Sequence, residues 1–276
     1  MNDDKRASEE SDFLTRIMVR RRESFAATCR SLDTERLREA ANFQRTQRPP
    51  HRLRHALNRD RGINIIAEFK RASPSKGIIS EGAEPSRVAA DYVAGGASAI
   101  SVLTEEDFFR GSLDDLRAIR KEVALPLLRK DFIFDELQIL EAAEAGADAV
   151  LLIVRALEDY ELATLLRFTE EDLGMDALVE VHTQGEMQRA AAAGATLIGV
   201  NNRNLDTFDV SLDTSIELAA IAPRGATLVS ESGLRDGEDL RRLLSHGYHG
   251  FLIGETLMRA SNPRQALSEL IASCES

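Results

Sequence analysis

The stretch EAGADAVLLIV, residues 144–154, decides the fold, because it sets a glycine-containing helix end directly before a short apolar run. The same small-residue pattern recurs as AGGAS (94–98), AAGAT (192–196) and SHGYH (245–249), with the relevant glycines 50, 48 and 53 residues apart. A glycine that follows a helix takes the left-handed conformation without a steric cost. The period therefore predicts a βαβα unit that is repeated four times.

Short apolar runs alternate with amphipathic stretches on both sides of this segment, from residue 63 to the end of the chain. Eight strands, each followed by one helix over about 210 residues, predict a single (β/α)8 TIM barrel rather than two domains or an open doubly wound sheet. The predicted strands are Ile63–Phe69, Ala99–Leu103, Leu127–Arg129, Ala149–Val154, Ala177–Val181, Leu197–Val200, Thr227–Ser230 and Gly250–Ile253. The helical patterns begin near Pro85, Ser112, Glu136, Glu158, Gln184, Ser211, Asp236 and Pro263.

Residues 1–60 fall outside the repeat and are predicted to be an N-terminal helical extension that packs on a barrel domain, residues 61–276. Apolar residues such as Phe13, Ile17 and Phe25 are interspersed with arginines, which indicates two or three short helices. Two interpretations of the arginines remain open. They form either an anion-attracting lid or a solvated face on helices that dock against an acidic barrel.

The net charge of −11, from 46 acidic and 35 basic residues, argues against general nucleic-acid or membrane-surface binding. Cys29 and Cys274 are too few for a disulfide framework and are interpreted as free thiols in the cytoplasm. The charged start lacks a secretory apolar segment, and the longest apolar run has six residues. The scattered histidines predict no protein-held metal. Of the 35 basic residues only five are Lys, so each lysine is a candidate for a task that arginine cannot perform.

Polar residues interrupt the apolar runs at the carboxyl ends of the predicted strands, where the active site of such a barrel forms. The period of two in a strand puts Glu68 and Lys70 on one side. Lys130 and Glu180 each share a side with the leucine two positions earlier. If those leucines fill the barrel, the four charged side chains converge at its mouth.

A single Glu or Lys at a strand end is usually a solvated loop residue. Four charged side chains that converge inside the barrel must instead form ion pairs or take part in function. Burial of an unpaired ion costs several kcal/mol. Lysine supplies an acid that is protonated at pH 7 and a carboxylate supplies a base, so the set predicts acid–base catalysis. We also expect the two lysines to lower each other's pKa, which would make one a better proton donor, while the carboxylates hold the pair ionised.

The loops after the last two strands are typical of phosphate binding, because backbone N–H groups and glycine allow an anion to approach closely. Strand 7 ends in Ser230-Glu-Ser232-Gly233 and strand 8 in Leu252-Ile-Gly254-Glu255, and Ser73 adds a hydroxyl from the loop after strand 1. One such glycine commonly just makes a turn. Two in the expected loops predict a phosphorylated ligand.

These blocks resemble the indole-3-glycerol phosphate synthase family. The resemblance runs through the whole barrel, and its most specific parts are Glu68-Phe-Lys70-Arg-Ala-Ser73-Pro-Ser and Arg129-Lys130-Asp131-Phe132. It continues through Leu178-Val-Glu180-Val-His182, Gly199-Val-Asn201-Asn-Arg203-Asn-Leu205 and Glu231-Ser232-Gly233. The N-terminal helices agree with the family in position but not in residues, since Asp-Phe is expected where Leu53 and Arg54 stand.

The resemblance implies ring closure of 1-(2-carboxyphenylamino)-1-deoxyribulose 5-phosphate to indole-3-glycerol phosphate, with loss of CO₂ and water and with no metal or organic cofactor. It implies Lys130 as general acid, Glu180 as general base oriented by Asn201, and Lys70 with Glu68 at the substrate carboxylate. The remaining substrate-binding residues are Arg203, Glu231 and a ring-binding wall of Phe109, Phe132, Leu151, Leu205 and Leu252. Phosphate is assigned to Ser73, Ser232, Gly233, Gly254 and the backbone of Glu255, whose carboxylate must turn away.

Two other functions stay open on sequence grounds: another barrel enzyme of phosphosugars such as phosphoribosylanthranilate isomerase, and a catalytically silent barrel that acts as a binding protein. The isomerase would need a Cys or Asp acid–base pair at the strand ends, and neither cysteine lies in a predicted strand. The silent barrel predicts loss of Lys70, Lys130 or Glu180, and all three are present. We expect a small phosphorylated substrate as the partner, and a monomer or at most a weak homodimer.

Overall fold

Eight parallel strands form a closed barrel in the computed structural model, which describes residues 13–30, 32–59 and 62–275. Each strand pairs with the next along the chain, and the last pairs with the first in the register Ile66–Leu252. The strands are β1 (Ile65–Phe69), β2 (Ala99–Leu103), β3 (Leu127–Lys130), β4 (Ala149–Ile153), β5 (Asp176–Val181), β6 (Leu197–Asn201), β7 (Thr227–Glu231) and β8 (Tyr248–Ile253). The predicted (β/α)8 barrel is confirmed, and each predicted strand overlaps the observed one to within two residues at either end.

Twelve α-helices are described, three before the barrel and nine within it. They are α1 (Phe13–Cys29), α2 (Thr34–Thr46), α3 (Arg52–Leu57), α4 (Pro85–Gly95), α5 (Leu113–Glu122), α6 (Glu136–Glu144), α7 (Asp159–Arg167), α8 (Gln184–Ala192), α9 (Asp213–Ala219), α10 (Gly237–Leu244), α11 (Glu255–Arg259) and α12 (Pro263–Glu275). The eight predicted helix starts lie within two residues of the observed ones. The short α11 and a hairpin of Ala72–Ser73 with Gly77–Ile78 were not predicted.

The repeated glycines have the backbone conformation that the sequence pattern demands. Gly96, Gly146, Gly194 and Gly247 all have φ between 87° and 96°. Each follows the end of a helix and precedes an even-numbered strand. The four-fold βαβα repeat is therefore confirmed in the backbone.

Alternation along the strands separates two apolar cores. One fills the barrel and includes Ile66, Leu128 and Leu178, together with residues from the other strands. The other lies between the strands and the surrounding helices and includes Phe69 and Val179. Side chains that share the parity of Leu128 and Leu178 therefore lie inside the barrel, which places Lys130 and Glu180 there as predicted.

Helix α3 closes the barrel at the amino ends of the strands. Leu53 and Leu57 are buried within the interior core, and Asp176 at the start of β5 accepts hydrogen bonds from the backbone N–H groups of Leu53 (2.8 Å) and Arg54 (3.1 Å). A leucine at position 53 is thus explained by its apolar surroundings. The predicted boundary between residues 60 and 61 lies outside the described residues.

Helix α1 packs at the opposite end, over the carboxyl ends of the strands. Its Arg21 donates two hydrogen bonds to the buried Asp131, from Nε at 3.0 Å and from Nη2 at 2.8 Å, and its Phe25 ring meets Phe134 edge to face. At least one arginine of the extension is therefore docked rather than free. Among the described residues, no helix is long and apolar enough to span a membrane.

Replacing Leu53 with alanine tests whether α3 closes the barrel. Because the side chain is fully buried, we expect the resulting cavity to lower the free energy of unfolding by about 2–5 kcal/mol. Urea-induced unfolding followed by circular dichroism measures the change. Phe43→Ala on α2, where the ring is 64% exposed, is the matched control and should cost less than about 0.5 kcal/mol. Equal losses in both variants would contradict this role of α3.

Candidate active site

A cavity of about 600 Å³ opens at the carboxyl ends of the strands. All seventeen residues that the sequence assigned to catalysis, substrate binding or phosphate binding line it. A second cavity, of about 590 Å³, lies near the opposite end, between α3, α4 and the segment before β3. Its described lining includes Glu122 but no lysine, so the acid–base set is found in the first cavity.

Two lysines and three glutamates form ion pairs in this cavity. Lys130 Nζ lies 3.1 Å from Glu180 Oε2 and 2.7 Å from Glu231 Oε2. Lys70 Nζ lies 2.6 Å from Glu68 Oε1. The five charged groups come from β1, β3, β5 and β7 or from the residue just after β1, which matches the way alternate strands of a barrel fill one layer.

Burial and neighbouring charges keep Lys130 cationic. Burial acts to lower the pKa of Lys130, but Glu180, Glu231 and Glu68 outweigh it, so that the pKa is raised far above the ordinary lysine value. The expected lowering of the Lys130 pKa by the second lysine is therefore not the net effect, whereas the expectation that carboxylates hold the lysine ionised agrees with the raised pKa. Carboxylates, not the second lysine, dominate its surroundings.

Glu180 and Glu231 share Lys130 but differ in their protonation. Burial acts to raise the pKa of Glu180, but Lys130, His182 and Asn201 outweigh it and hold that pKa below its usual range. Burial raises the pKa of Glu231 to about 7, where the attraction of Lys130 is opposed by the carboxylates of Glu180 and Glu68. Glu180 is therefore the ionised carboxylate of the two, whereas Glu231 titrates near neutral pH.

Two glycines make room for these carboxylates. A Cβ atom at Gly199 would collide with Glu231 Oε1, and one at Gly254 would collide with Glu68 Oε1. Among the described residues, Glu231 Oε1 has no hydrogen-bond partner although it is buried. The even-numbered strands therefore leave the space into which the odd-numbered strands project charge.

The predicted phosphate residues lie together at one part of the cavity wall. Ser232 and Gly233 have φ of 67° and 81°, so the chain turns sharply after β7, and a Cβ at Gly233 would collide with Val210. The Glu255 carboxylate pairs with Arg259 Nε at 3.1 Å. Lys76, in the predicted loop after the first strand, also lines the cavity, as do Arg235 and Arg259, which the sequence did not assign to this end.

Apolar side chains form the remaining wall. The rings of Phe109 and Phe132 are 6.2 Å apart between centroids, and the predicted leucines lie in the same lining. Helix α1 adds Phe13, Leu14 and Ile17, which the sequence placed in the extension without a link to the site. The ion pair of Arg21 with Asp131 and the edge-to-face contacts of the Phe13 ring with Phe108 and Phe208 hold that helix here. No local pattern reveals contacts so distant in sequence.

His182 is a further residue without a predicted role. Its Nε2 atom lies 3.4 Å from Glu180 Oε1, and its Nδ1 atom lies 3.1 Å from Glu186 Oε2. The period of two along β5 and its continuation puts His182 on the same side as Glu180, so the alternation offered a signal for it. Its contact with Glu186 could not be predicted in this way, because that contact depends on how the chain turns into α8.

Solved structures with this architecture support the fold. The 3-hexulose-6-phosphate synthase from Salmonella typhimurium superimposes with a TM-score of 0.62 over 77% of this chain and 99% of that chain, at 13% sequence identity. At this identity the likeness concerns the fold alone. The fold, together with the cluster of carboxylates and lysines at the strand ends, defines the class of this protein as a (β/α)8-barrel enzyme.

The family model for indole-3-glycerol phosphate synthase matches residues 14–270. The chain belongs to the indole-3-glycerol phosphate synthase family. It is 48% identical over 264 residues to the indole-3-glycerol phosphate synthase of Carboxydothermus hydrogenoformans, which covers 94% of this chain and 100% of that relative. The corresponding protein of Desulfotalea psychrophila is 47% identical over 94% of this chain and 98% of its own length.

The raised pKa of Glu231 predicts a carboxylic acid that ionises near neutral pH. In infrared difference spectra, its protonated C=O band should disappear as the pH rises through about 7. Because Glu180 raises that pKa by repulsion, Glu180→Gln should move the transition to lower pH. Glu231→Gln is the control that should lack the transition, and a transition that persists in it would contradict the assignment.

Proposed function

We propose that the chain converts 1-(2-carboxyphenylamino)-1-deoxyribulose 5-phosphate to indole-3-glycerol phosphate, with release of CO₂ and water, in L-tryptophan biosynthesis. Family membership supports this reaction, which makes the chain a carboxy-lyase. The observation that carries the residue assignment is the position of Lys130 between Glu180 and Glu231. This cluster lies in the same cavity as the residues assigned to phosphate.

Lys130 is the general acid. The ring carbon that bears the carboxylate attacks the ribulose carbonyl, and Lys130 gives a proton to the carbonyl oxygen as the C–C bond forms. The Lys130 cation also stabilises negative charge that develops on this oxygen. Loss of CO₂ then returns the bonding electrons to the ring and restores its aromaticity. Protonation of the new hydroxyl lets it leave as water.

Glu180 is the general base. After the hydroxyl leaves, the methylene carbon next to the substrate nitrogen must lose a proton to complete the indole, which keeps its N–H, and an ionised carboxylate can accept that proton. The lowered pKa of Glu180, in which Lys130, His182 and Asn201 outweigh burial, supports this role at neutral pH. Asn201 orients the carboxylate, since its own Oδ1 is held by the backbone N–H of Arg203 at 3.0 Å.

Lys70 binds the substrate carboxylate and is positioned by Glu68. The 2.6 Å ion pair fixes the ammonium group at the cavity wall. Lys70 lines the same cavity as the acid–base cluster, and we assign it a share of the acid role with Lys130 in the dehydration step. Arg203 is a second partner for the carboxylate, and Glu231 contributes to substrate binding through Lys130.

The rest of the cavity divides between ring and phosphate. The anthranilate ring lies against the wall formed by Phe109, Phe132, Leu151, Leu205 and Leu252. The phosphate lies against Ser73, Ser232, Gly233, Gly254 and the Glu255 backbone. Each step moves protons and electron pairs within the substrate and involves no redox change, so the proposed mechanism requires no cofactor.

The isomerase alternative is less well supported than the synthase. Cys29 lies in α1 and Cys274 in α12, and neither lines the cavity at the strand ends. We further propose that residues 1–60 are an extension of the catalytic barrel, residues 61–276, and that the protein works as a cytoplasmic monomer or weak homodimer. The cavity supports a monomer, because residues of one chain supply every assigned group.

Lys130→Ala tests the general acid. We expect kcat to fall at least about 100-fold, because general-acid catalysis contributes that much. Formation of indole absorbance from the carboxyphenylamino substrate measures the rate, and circular dichroism checks that the variant is folded. Lys121→Ala, at an exposed position of α5, is the matched control and should keep the wild-type rate. A near-normal rate in Lys130→Ala would remove Lys130 from the mechanism.

Arg259→Gln tests the phosphate end of the cavity. The change removes a cation and leaves the Glu255 carboxylate without its 3.1 Å partner, so we expect KM to rise about 3- to 5-fold with kcat nearly unchanged. Steady-state kinetics with the same substrate gives both constants. Arg242→Gln, whose partner Asp213 is also exposed, is the control. An unchanged KM in Arg259→Gln would place the phosphate elsewhere.

A further inference from the structure

His182 lies directly after β5 and beside the proposed base. Glu180 faces the inside of the barrel, and His182, two residues later, continues on the same side with its side chain only 8% exposed. Its Nε2 atom is 3.4 Å from Glu180 Oε1 and has no hydrogen-bond partner among the described residues. The imidazole thus presents one otherwise unused nitrogen to the base.

Glu186 fixes the orientation of this ring from the other side. Its Oε2 atom accepts the backbone N–H of His182 at 2.7 Å and lies 3.1 Å from His182 Nδ1. Glu186 itself is held in the first turn of α8, where its N–H donates to the Thr183 hydroxyl at 3.2 Å. A carboxylate accepts only, so Nδ1 must carry a proton and Nε2 is the atom that faces Glu180.

The two oxygens of Glu180 are therefore divided between two cations. Oε2 lies 3.1 Å from Lys130 Nζ and Oε1 faces His182. The charged groups that surround His182 are Glu180 on its own strand, Glu186 on α8 and Glu231 on β7, with Lys130 beyond Glu180. Burial acts to lower the pKa of His182, but the three carboxylates outweigh it and raise that pKa above its usual value.

We propose that His182, anchored by Glu186, is the positioning residue of the base: as an imidazolium it holds Glu180 Oε1 and keeps the carboxylate ionised between turnovers. The proposal rests on the assignment of Glu180 as base. It does not require His182 to touch the substrate, which meets Glu180 from the cavity side.

A direction of pH dependence follows from this arrangement. When His182 carries both protons, its charge favours the ionised form of Glu180. When the Nε2 proton is lost, a lone pair faces Oε1 and the support disappears. The base works only when Glu180 is ionised, so removal of the imidazolium must raise the pKa of Glu180 and move the acidic limb of kcat to higher pH.

The kinetic test compares His182→Gln and Glu186→Gln with His246→Gln, an exposed histidine of the loop after α10. Glutamine at 182 keeps a neutral donor for Glu180, and glutamine at 186 keeps an acceptor for the backbone N–H. We expect the acidic limb of the pH profile of kcat to move to higher pH by about one unit in His182→Gln and by less in Glu186→Gln. The control should not move. A reduced kcat with an unshifted limb in His182→Gln would show a structural role only and overturn the proposal.

A second measurement is independent of turnover. Among the five histidines, the ring of His182 is identified by NMR as the signal missing from His182→Gln, and its titration is followed in the wild type and in Glu180→Gln. Because the coupling of two charges is reciprocal, Glu180→Gln should lower the pKa of His182 by about as much as His182→Gln shifts the limb. An unchanged titration would overturn the proposal. Absence of wild-type turnover would count against the proposed function instead and leave the titration to decide the coupling.

Discussion

The ion pairs of Lys130 with Glu180 and Glu231 are the interaction on which the arrangement of the site depends. Three carboxylates inside a closed barrel would be prohibitive without cations, because burial of an unpaired ion costs several kcal/mol. Odd-numbered strands supply the charged layer, and even-numbered strands supply the glycines that leave room for it. The same parity that fills the barrel with leucines therefore dictates where the charges meet.

Much of the fold and part of the site could be predicted from the sequence, because both follow from local periodicity. The glycine repeat at residues 96, 146, 194 and 247 determined the strand count, and the period of two determined which side chains enter the barrel. The contact of Glu186 with His182 was missed because it depends on the turn into α8. The ionised state of Lys130 was expected from the nearby carboxylates, but the number of carboxylates around it was not, because they come from separate strands. Spacing along one strand reveals neither.

Arg and Lys side chains occupy different kinds of position in this structure, and their chemistry explains the difference. The buried Arg129 hydrogen-bonds to Thr104 Oγ1, the carbonyl oxygen of Gln138 and Asp131 Oδ2, which a single ammonium group could not reach together. A guanidinium is always charged and rigid, and this suits a structural link. Three of the five lysines, Lys70, Lys76 and Lys130, line the cavity instead. The overall negative charge was a poor guide to the ligand, because local cations set the field in the cavity.

The bond between Arg21 and Asp131 joins residues that are 110 positions apart in the chain. During synthesis, α1 leaves the ribosome long before β3, so its apolar face, with Leu14 and Ile17, cannot dock beside Asp131 until the first three strands exist. Helix α1 can thus make this bond only after β3 has been made. The cavity gains its outer wall only when α1 docks. An incomplete chain that carries all the acidic and basic residues of the first three strands therefore still has an open site.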